Sequence, residues 1–255
     1  MQKRLEGKSI LVAGAGGIGS ALAQRYALEG ASVVLGDIDL PSARATVDAI
    51  VQAGGEACAV ELDGAQEESI RAAVATACDR YGGLDGLHAN FATLIDCDPQ
   101  AGVLELPMEV YDETMRVNAR GFFLCTRAVL PALIERGGGS IVYTSSAAGN
   151  GGPITQSAYA MSKSAGHALM RHVAARYGAM DVRANTIAPA MTLHPRLEAQ
   201  IPATFIEWAK SAAKIKSRVG RPDDIAAMGA LLLSDEGSYI TGQVISIDGG
   251  TTMRP

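Results

Sequence analysis

A tyrosine and a lysine lie four positions apart in the segment SAYAMSKSAG, residues 157–166. On an α-helix, side chains at i and i+4 share one face, so Tyr159 and Lys163 would point the same way. A tyrosine with a pKa of about 10 is a poor base at neutral pH, and a nearby ammonium group lowers that pKa by favouring the phenolate. Such a tyrosine could accept the proton of an alcohol or donate one to a carbonyl oxygen. The spacing alone is nonspecific and fits proton chemistry and an ordinary helix surface equally well.

A second group of residues with possible chemistry is the glycine-rich segment AGAGGIG, residues 13–19, which follows an apolar run and opens a helical pattern. Gly14, Gly16 and Gly19 have the GxGxxG spacing. Glycines at these positions let the backbone turn tightly and approach a pyrophosphate, which then sits at the N-terminus of the helix. The strand before and the helix after favour a nucleotide-binding loop over an ordinary glycine turn.

An acidic residue, Asp37, ends the second apolar run. A carboxylate at this point accepts hydrogen bonds from the ribose hydroxyls of an adenosine and repels a 2′-phosphate. No arginine or lysine lies between Lys8 and Arg25, or between Asp37 and Arg44, to hold such a phosphate. The segment therefore predicts NAD(H) and not NADP(H) as the cofactor; the alternative is an aspartate that only forms a turn.

Short apolar runs alternate with longer helical patterns along the whole chain. The runs cover residues 9–14, 32–37, 57–63, 84–90, 139–146, 182–189 and 244–248, and the helical patterns cover 18–30, 42–55, 67–82, 108–137, 157–178 and 222–234. Repeated βαβ units predict a mostly parallel, doubly wound sheet with helices on both faces, an α/β fold of the Rossmann type. No linker or repeat divides the chain, so we expect one domain over residues 1–255.

Composition excludes several other classes of protein. Of 255 residues, 48% are hydrophobic and 19% are charged, as in ordinary globular proteins. The net charge of −5 argues against nucleic acid or an anionic membrane as partner. No apolar run has the roughly 18 residues of a membrane span. The scattered cysteines Cys58, Cys78, Cys97 and Cys125 indicate no metal site and no disulfide framework, which favours the cytoplasm.

The arrangement of these residues resembles that of the short-chain dehydrogenase/reductase family over nearly the whole chain. Residues 220–250, GRPDDIAAMGALLLSDEGSYITGQVISIDGG, are similar to the C-terminal signature of that family. Ser146 precedes Tyr159 by 13 residues, as the family's catalytic serine precedes its tyrosine, and the segment RVNARGFF supplies the family's asparagine as Asn118.

The resemblance implies a role for each of these residues. Tyr159 would be the general acid and base, and Ser146 would bind the substrate oxygen where charge develops. Lys163 would lower the pKa of Tyr159 and bind the nicotinamide ribose. Asn118 would hold a water molecule that links Lys163 to solvent.

The resemblance also implies a set of cofactor contacts. These residues are Gly14, Gly16, Gly17, Ile18, Gly19, Asp37, Asp63, Asn90, Tyr159, Lys163, Pro189 and Thr192. Three departures from the family pattern affect this set: the glycine loop is one residue shorter and begins with Ala13, Phe91 and Ala92 replace small residues after the fourth strand, and His194 occupies the place of a threonine that contacts the carboxamide of the nicotinamide in the family. His194 could instead face the substrate or simply be solvated.

The substrate region is the most variable part of such proteins. Residues 193–218 resemble the family's lid, and the expected pocket walls are Phe91, Thr93, Leu94 and residues 151–156. Phe205 and Trp208 of the lid suggest an apolar or cyclic secondary alcohol or its ketone; they could equally be core or subunit contacts. Two alternatives are a 3-oxoacyl-thioester reductase and a catalytically silent nucleotide-binding protein. By analogy, the helices at 108–137 and 157–178 would pair subunits in a homodimer or homotetramer.

Overall fold

The computed structural model describes residues 3–95, 101–151 and 156–253. Within these ranges, seven parallel strands form one sheet in the order β3-β2-β1-β4-β5-β6-β7. The strands are Ser9–Ala13 (β1), Ser32–Asp37 (β2), Glu56–Glu61 (β3), Gly86–Ala89 (β4), Gly139–Thr144 (β5), Val182–Pro189 (β6) and Val244–Ile247 (β7). This is the Rossmann order extended by one strand, which confirms the predicted fold class.

Helices cover both faces of this sheet. They are Gly17–Leu28 (α1), Leu40–Gln52 (α2), Glu67–Tyr81 (α3), Met108–Thr114 (α4), Gly121–Glu135 (α5), Ser157–Tyr177 (α6), Pro195–Glu198 (α7), Ala203–Ala212 (α8) and Pro222–Leu233 (α9). All five residues of β1 are buried, because apolar side chains on both faces of the strand meet helices.

Two apolar cores, one on each face, hold the helices on the sheet. On one face, Ile70 of α3, Phe122 of α5 and Met170 of α6 pack together. On the other face, Leu22 of α1 and Ile225 of α9 belong to the second core. The order of the strands reverses between β1 and β4, so the loops after these two strands diverge and leave a crevice where ligands bind in doubly wound sheets.

The helix expected over residues 108–137 contains a local irregularity. Met115–Arg120 form a π-helical turn between α4 and α5, so the polypeptide winds less tightly there. Such turns are frequent at functional sites because they shift the side chains that follow them. The combined helix Met108–Glu135 is long and apolar enough to cross a membrane, but half of its apolar window is buried within the fold, as in a core helix.

Several strands end earlier than the sequence pattern predicts. β3 ends at Glu61 and β5 at Thr144, so Asp63 and Ser146 each lie two residues beyond a strand and not on it. Both residues nevertheless follow the carboxyl end of their strand. They therefore lie at the edge of the sheet where the glycine loop also lies.

Candidate active site

The glycine loop follows β1 and packs tightly against the loop after β4. Gly14 has φ of +106°, and a Cβ atom there would lie 2.6 Å from the backbone nitrogen of Phe91. A Cβ atom on Gly19 would overlap the carbonyl oxygen of Gly14 and lie 2.9 Å from Nδ2 of Asn90. These two glycines are therefore required by the fold of the loop itself.

Gly16 has a different environment from Gly14 and Gly19. A Cβ atom on Gly16 would meet nothing within 4 Å. Gly16 is also the N-cap of α1, and no side chain in the described part of the chain caps this N-terminus. The first turn of α1 thus has backbone N–H groups without a side-chain cap, which is the arrangement that binds a phosphate.

Asp37 is fixed by the backbone around it. Its Oδ2 accepts a hydrogen bond from the backbone N–H of Ala15 at 2.5 Å, and its Oδ1 accepts one from Asp39 at 2.8 Å. The carboxylate at the end of β2 therefore holds the glycine loop, and it lies beside the crevice without an arginine or lysine among its hydrogen-bond partners in the described residues.

Asn90 connects the loop after β4 to the glycine loop. Its Nδ2 donates to the carbonyl oxygen of Gly14 at 3.1 Å. Its Oδ1 is buried without a hydrogen-bond partner in the described part of the chain. Because an unpaired buried carbonyl is costly, this oxygen fits a ligand that brings a donor such as a ribose hydroxyl. The residues of the crevice thus fit a dinucleotide.

The ring of Phe91 takes part in core packing. A Cβ atom on Gly64 would lie 2.5 Å from this ring, and one on Gly121 would lie 2.7 Å from it. The ring also meets Phe122 edge to face, with centroids 5.4 Å apart. The expectation that Phe91 lines the substrate pocket is therefore wrong; the glycines at positions 64 and 121 make room for its ring inside the fold.

Asp63, Pro189 and Thr192 lie at the same end of the sheet. Oδ1 of Asp63 accepts a hydrogen bond from the backbone of Ala65 at 2.8 Å. Pro189 ends β6 and pairs with Ile247 of β7. The hydroxyl of Thr192 donates to the carbonyl oxygen of Ala190 at 3.1 Å, so it is used within its own turn.

Ser146, Tyr159 and Lys163 come together between the end of β5 and the start of α6. Tyr159 is partly buried, and its hydroxyl lies close enough to Ser146 for hydrogen bonding to lower the pKa of the tyrosine. Oγ of Ser146 also accepts a hydrogen bond from the backbone of Ala148 at 3.2 Å. Nζ of Lys163 lies 5.6 Å from the centroid of the Tyr159 ring. The structure therefore brings the three side chains together in one cluster.

The electrostatics of this cluster differ from the expectation. Lys163 is almost fully buried, and its Nζ donates to the carbonyl oxygen of Thr144 at 2.9 Å. Burial lowers the pKa of Lys163 to about 7. Burial also raises the pKa of Tyr159, while the hydrogen bond with Ser146 lowers it. In this structure the ammonium of Lys163 is therefore not what shifts the pKa of Tyr159, because it is itself easily deprotonated.

Asn118 lies in the π-helical turn and is fully buried. Its Oδ1 accepts a hydrogen bond from the backbone N–H of Thr93 at 2.7 Å, and its Nδ2 donates to the carbonyl oxygen of Thr93 at 3.0 Å. Nδ2 also lies 3.1 Å from Oγ of Ser162 on α6. The side chain thus fixes the loop after β4 against α6; a water-holding role for Asn118 stays a prediction.

Behind the cluster lies a buried polar chain that the sequence motifs did not indicate. His88 of β4 is fully buried, with Nδ1 2.5 Å from the hydroxyl of Tyr26 and Nε2 2.9 Å from Oγ1 of Thr144. Burial lowers the pKa of His88 to about 3, so this ring is neutral. A histidine inside the otherwise apolar run LHA was the available signal, but nothing in the sequence gave its partners.

The lid is only partly helical. α7 and α8 lie within residues 193–218, and Phe205 and Trp208 of α8 stack with ring centroids 5.2 Å apart. Their side chains are 45% and 60% exposed, so the interpretation of these rings as core residues is wrong. Of the expected pocket walls, Thr93 is fixed by Asn118 as described above, and residues 152–155 lie outside the described part of the chain, as does Cys97.

Together, the glycine loop, the carboxylate at the end of β2 and the serine–tyrosine–lysine cluster define a dinucleotide-binding oxidoreductase of the Rossmann fold. The family model described as "Enoyl-(Acyl carrier protein) reductase" matches residues 12–252. A probable short-chain type dehydrogenase/reductase from Bradyrhizobium diazoefficiens is 41% identical over 248 residues, which cover 97% of this chain and 88% of that protein. The chain belongs to the short-chain dehydrogenase/reductase family.

Two further proteins that are similar to this chain have names that state their activity. A 2,5-dichloro-2,5-cyclohexadiene-1,4-diol dehydrogenase from Sphingobium indicum is 37% identical over 254 residues, covering 97% of this chain and 98% of that protein. The structure of a 7α-hydroxysteroid dehydrogenase complexed with NADH and 7-oxo glycochenodeoxycholic acid superimposes with a TM-score of 0.90 at 33% identity, covering 98% of this chain and 96% of that chain. The protein is thus an oxidoreductase of a family that uses nicotinamide cofactors and acts on CH–OH groups of small molecules.

Proposed function

We propose that the protein transfers hydride between NAD(H) and the carbinol carbon of a cyclic or apolar secondary alcohol, or its ketone. The observation that carries the choice of cofactor is Asp37, whose two oxygens are fixed by the backbone of Ala15 and Asp39 at the end of β2. A carboxylate held there can accept hydrogen bonds from ribose hydroxyls, and it repels the additional phosphate of NADP(H).

The cofactor would lie along the crevice between β1 and β4. The backbone of Gly16, Gly17, Ile18 and Gly19 would bind its pyrophosphate, and Asn90 would satisfy its buried oxygen on a ribose hydroxyl. Contacts with Asp63, Pro189 and Thr192 stay predictions of the family pattern. When bound, the nicotinamide supplies the hydride acceptor or donor.

The proton chemistry would belong to Tyr159. In alcohol oxidation its phenolate oxygen takes the hydroxyl proton of the substrate; in ketone reduction its hydroxyl donates a proton to the carbonyl oxygen. Because burial raises the pKa of Tyr159, the protonated form dominates near neutral pH in this structure. The hydrogen bond with Ser146 lowers the pKa of Tyr159, and Ser146 would also donate to the substrate oxygen.

Lys163 would complete this arrangement from its position beside the ring of Tyr159. Its Nζ lies over the rings of Tyr159 and Phe122, at 5.6 Å and 5.0 Å from their centroids. When Lys163 carries its charge, the ammonium favours the phenolate of Tyr159 and can bind a ribose hydroxyl. Asn118 supports the same region by holding Thr93, and hence the loop after β4, in place.

The proposed substrate class rests on the lid and on the relatives. The stacked rings of Phe205 and Trp208 form an exposed apolar surface on α8 of the lid, which suits a cyclic substrate. Both relatives described above act, by name, on ring-bearing alcohols. A homodimer or homotetramer in the cytoplasm is part of the same proposal.

A 3-oxoacyl-thioester reductase is the second candidate, because the matching family model is described as a reductase of a carrier-protein substrate. Such substrates call for a basic docking surface. Two of the three lid lysines are already engaged: Lys210 pairs with Glu207 at 2.7 Å, and Lys216 donates to the carbonyl oxygen of Ser211 at 2.6 Å. This favours the alcohol over the thioester.

The test is a comparison of the wild type with Tyr159→Phe. We expect the wild type to reduce NAD in the presence of cyclic secondary alcohols, followed by NADH absorbance, and to use NADP far less well. Tyr159→Phe should lower kcat by about 10²–10⁴-fold and leave NADH binding unchanged, since it removes only the acid–base group. Turnover of thioesters with NADPH would favour the second candidate. Binding of NADH without turnover of any substrate by the wild type would favour a silent nucleotide-binding protein.

A further inference from the structure

One histidine of the lid contacts the glycine loop directly. A Cβ atom on Gly17 would overlap the ring of His194 and lie 2.5 Å from its Nδ1, so the imidazole lies against the backbone of Gly17. The two residues are 177 positions apart. Gly17 is the first residue of α1, whose N-terminus has no side-chain cap in the described part of the chain. The absence of a side chain at Gly17 is thus what lets this ring approach the pyrophosphate-binding turn.

The hydrogen bond of His194 with its own helix defines which ring nitrogen can act as a donor. Nδ1 accepts from the backbone N–H of Leu197 at 3.3 Å, so that His194 is the N-cap of α7. An Nδ1 that accepts carries no proton, and a neutral imidazole must then carry its proton on Nε2. Burial and the nearby Arg196 lower the pKa of His194, which keeps the ring neutral at physiological pH. Nε2 has no hydrogen-bond partner within the described residues.

The backbone before His194 holds the ring in this position. Thr192 forms a β-bridge with Gly220, and Leu193 donates to the carbonyl oxygen of Gly220 at 2.9 Å. Gly220 in turn donates to the carbonyl oxygen of Met191 at 3.0 Å. The segment leading to His194 is therefore fixed to the start of α9, and the histidine lies where the fixed segment gives way to the helices of the lid.

We infer that Nε2–H of His194 donates a hydrogen bond to the pyrophosphate of the bound dinucleotide, and so ties the cofactor to the lid. This inference rests on the proposed function. A hydrogen bond to the pyrophosphate would mean that the ring of His194 is not merely solvated. It also differs from the contact with the nicotinamide carboxamide that the family pattern implies for this position. His194 would act as a binding residue that recognises a diphosphate.

The test compares two ligands that share the pyrophosphate and differ in the nicotinamide. We would measure Kd for NADH and for ADP-ribose by calorimetry, using the wild type and His194→Asn. Asparagine is a good N-cap and keeps the bond to α7, but its side chain is too short to replace Nε2. We expect both Kd values to rise by a similar factor of about 10, because a hydrogen bond to a charged phosphate is lost.

The control variant is His172→Asn, because His172 is an exposed residue of α6; it should change neither Kd. Fluorescence of Trp208, the single tryptophan of the chain, provides a second readout on the lid itself. A loss of affinity for NADH alone would overturn the inference in favour of a carboxamide contact, and unchanged Kd values for both ligands would overturn it as well. If the wild type binds neither ligand, the proposed function fails and the inference falls with it.

Discussion

The two ends of the candidate site satisfy their polar groups by opposite means. At the glycine loop, the charge of Asp37 is met by two backbone N–H groups, and Asn90 donates to the backbone of Gly14. At the tyrosine, the buried amine of Lys163 has one carbonyl oxygen as its partner, and no carboxylate of the described residues lies within 4.0 Å of it. The charged group at the glycine loop is thus met by hydrogen-bond donors, and the charged form of the buried lysine has no counter-charge.

This difference shows what each end contributes to function. A carboxylate held by backbone donors keeps its position whether or not a ligand is present, so the glycine-loop end is preorganised for recognition. Burial without a counter-charge disfavours the charged form of a lysine. It lowers the pKa of Lys163 to about 7, so the amine loses its proton easily. The tyrosine end therefore holds a group whose charge state can respond to what binds beside it, at a cost in stability.

The strongest test of this contrast is Lys163→Met, which removes the buried amine and keeps the length of the side chain. We expect kcat to fall by about 10²-fold or more, because Tyr159 and the ribose of the proposed cofactor lose the amine beside them. We also expect the ligand-free protein to become more stable, by about 1–4 kcal/mol, since an apolar group replaces a buried charge. Activity assays and thermal denaturation would measure the two effects.

The gain in stability from Lys163→Met should depend on pH, and the pKa of Lys163 determines in which direction. The folded state lowers the pKa of Lys163 from its ordinary value of 10.5 to about 7, so below pH 7 the wild type carries the full penalty of a buried charge. The penalty shrinks as pH rises from 7 to 10.5, because the unfolded chain then binds more protons than the folded one. The stabilisation by Lys163→Met should thus be larger at pH 6 than at pH 9. Lys210→Met, on a surface ion pair, is the control for the loss of one lysine, and an equal trend in both variants would contradict our account.

A second test compares Gly19, which the fold of the loop requires, with Gly16, which only a bound ligand would require. Gly19→Ala forces a Cβ atom onto the carbonyl oxygen of Gly14, and we expect a loss of about 1–3 kcal/mol in stability. Gly16→Ala meets nothing within 4 Å, so its Tm should be unchanged while its affinity for NADH falls. Thermal denaturation and NADH titration of both variants would measure this. Equal Tm values for the two variants would mean that the loop relaxes around the added methyl group.

The sequence predicts most of the fold because alternation of apolar runs and helical patterns is a local signal. The parallel sheet and the cluster of Ser146, Tyr159 and Lys163 follow from such patterns and from the resemblance to a family. The π-helical turn at Asn118 could not be predicted in this way, since its sequence continues an ordinary helical pattern.

What the sequence could not supply is burial and contact between distant residues. The direction in which the pKa of Tyr159 shifts depends on how deeply α6 packs, and the Lys163 motif alone predicted the wrong direction. The position of the Phe91 ring depends on Gly64 and Gly121, which lie on other elements. Long-range packing decides each of these features, and it leaves no local pattern.

The smallest of the expected effects concerns the glycine-loop end of the site, where backbone N–H groups hold the carboxylate of Asp37. Asp37→Ala removes the carboxylate that would repel a 2′-phosphate and accept hydrogen bonds from a ribose. We expect the preference for NAD over NADP, measured as the ratio of kcat/KM values, to fall by about 10-fold, which corresponds to one charged interaction near the protein surface. The glycine loop should also loosen slightly, because the backbone N–H of Ala15 loses its acceptor.

Asp39→Ala gives the matched control for Asp37→Ala, since it removes the same charge two positions further along. Asp39 caps α2 through the backbone N–H of Ser42 at 3.2 Å, so its loss should cost about 1 kcal/mol of stability. It should leave the preference for NAD nearly unchanged, because the carboxylate that is removed is not the one held at the end of β2. If both variants relax the preference equally, discrimination comes from the net negative field of this region, and the fixed position of Asp37 contributes nothing of its own.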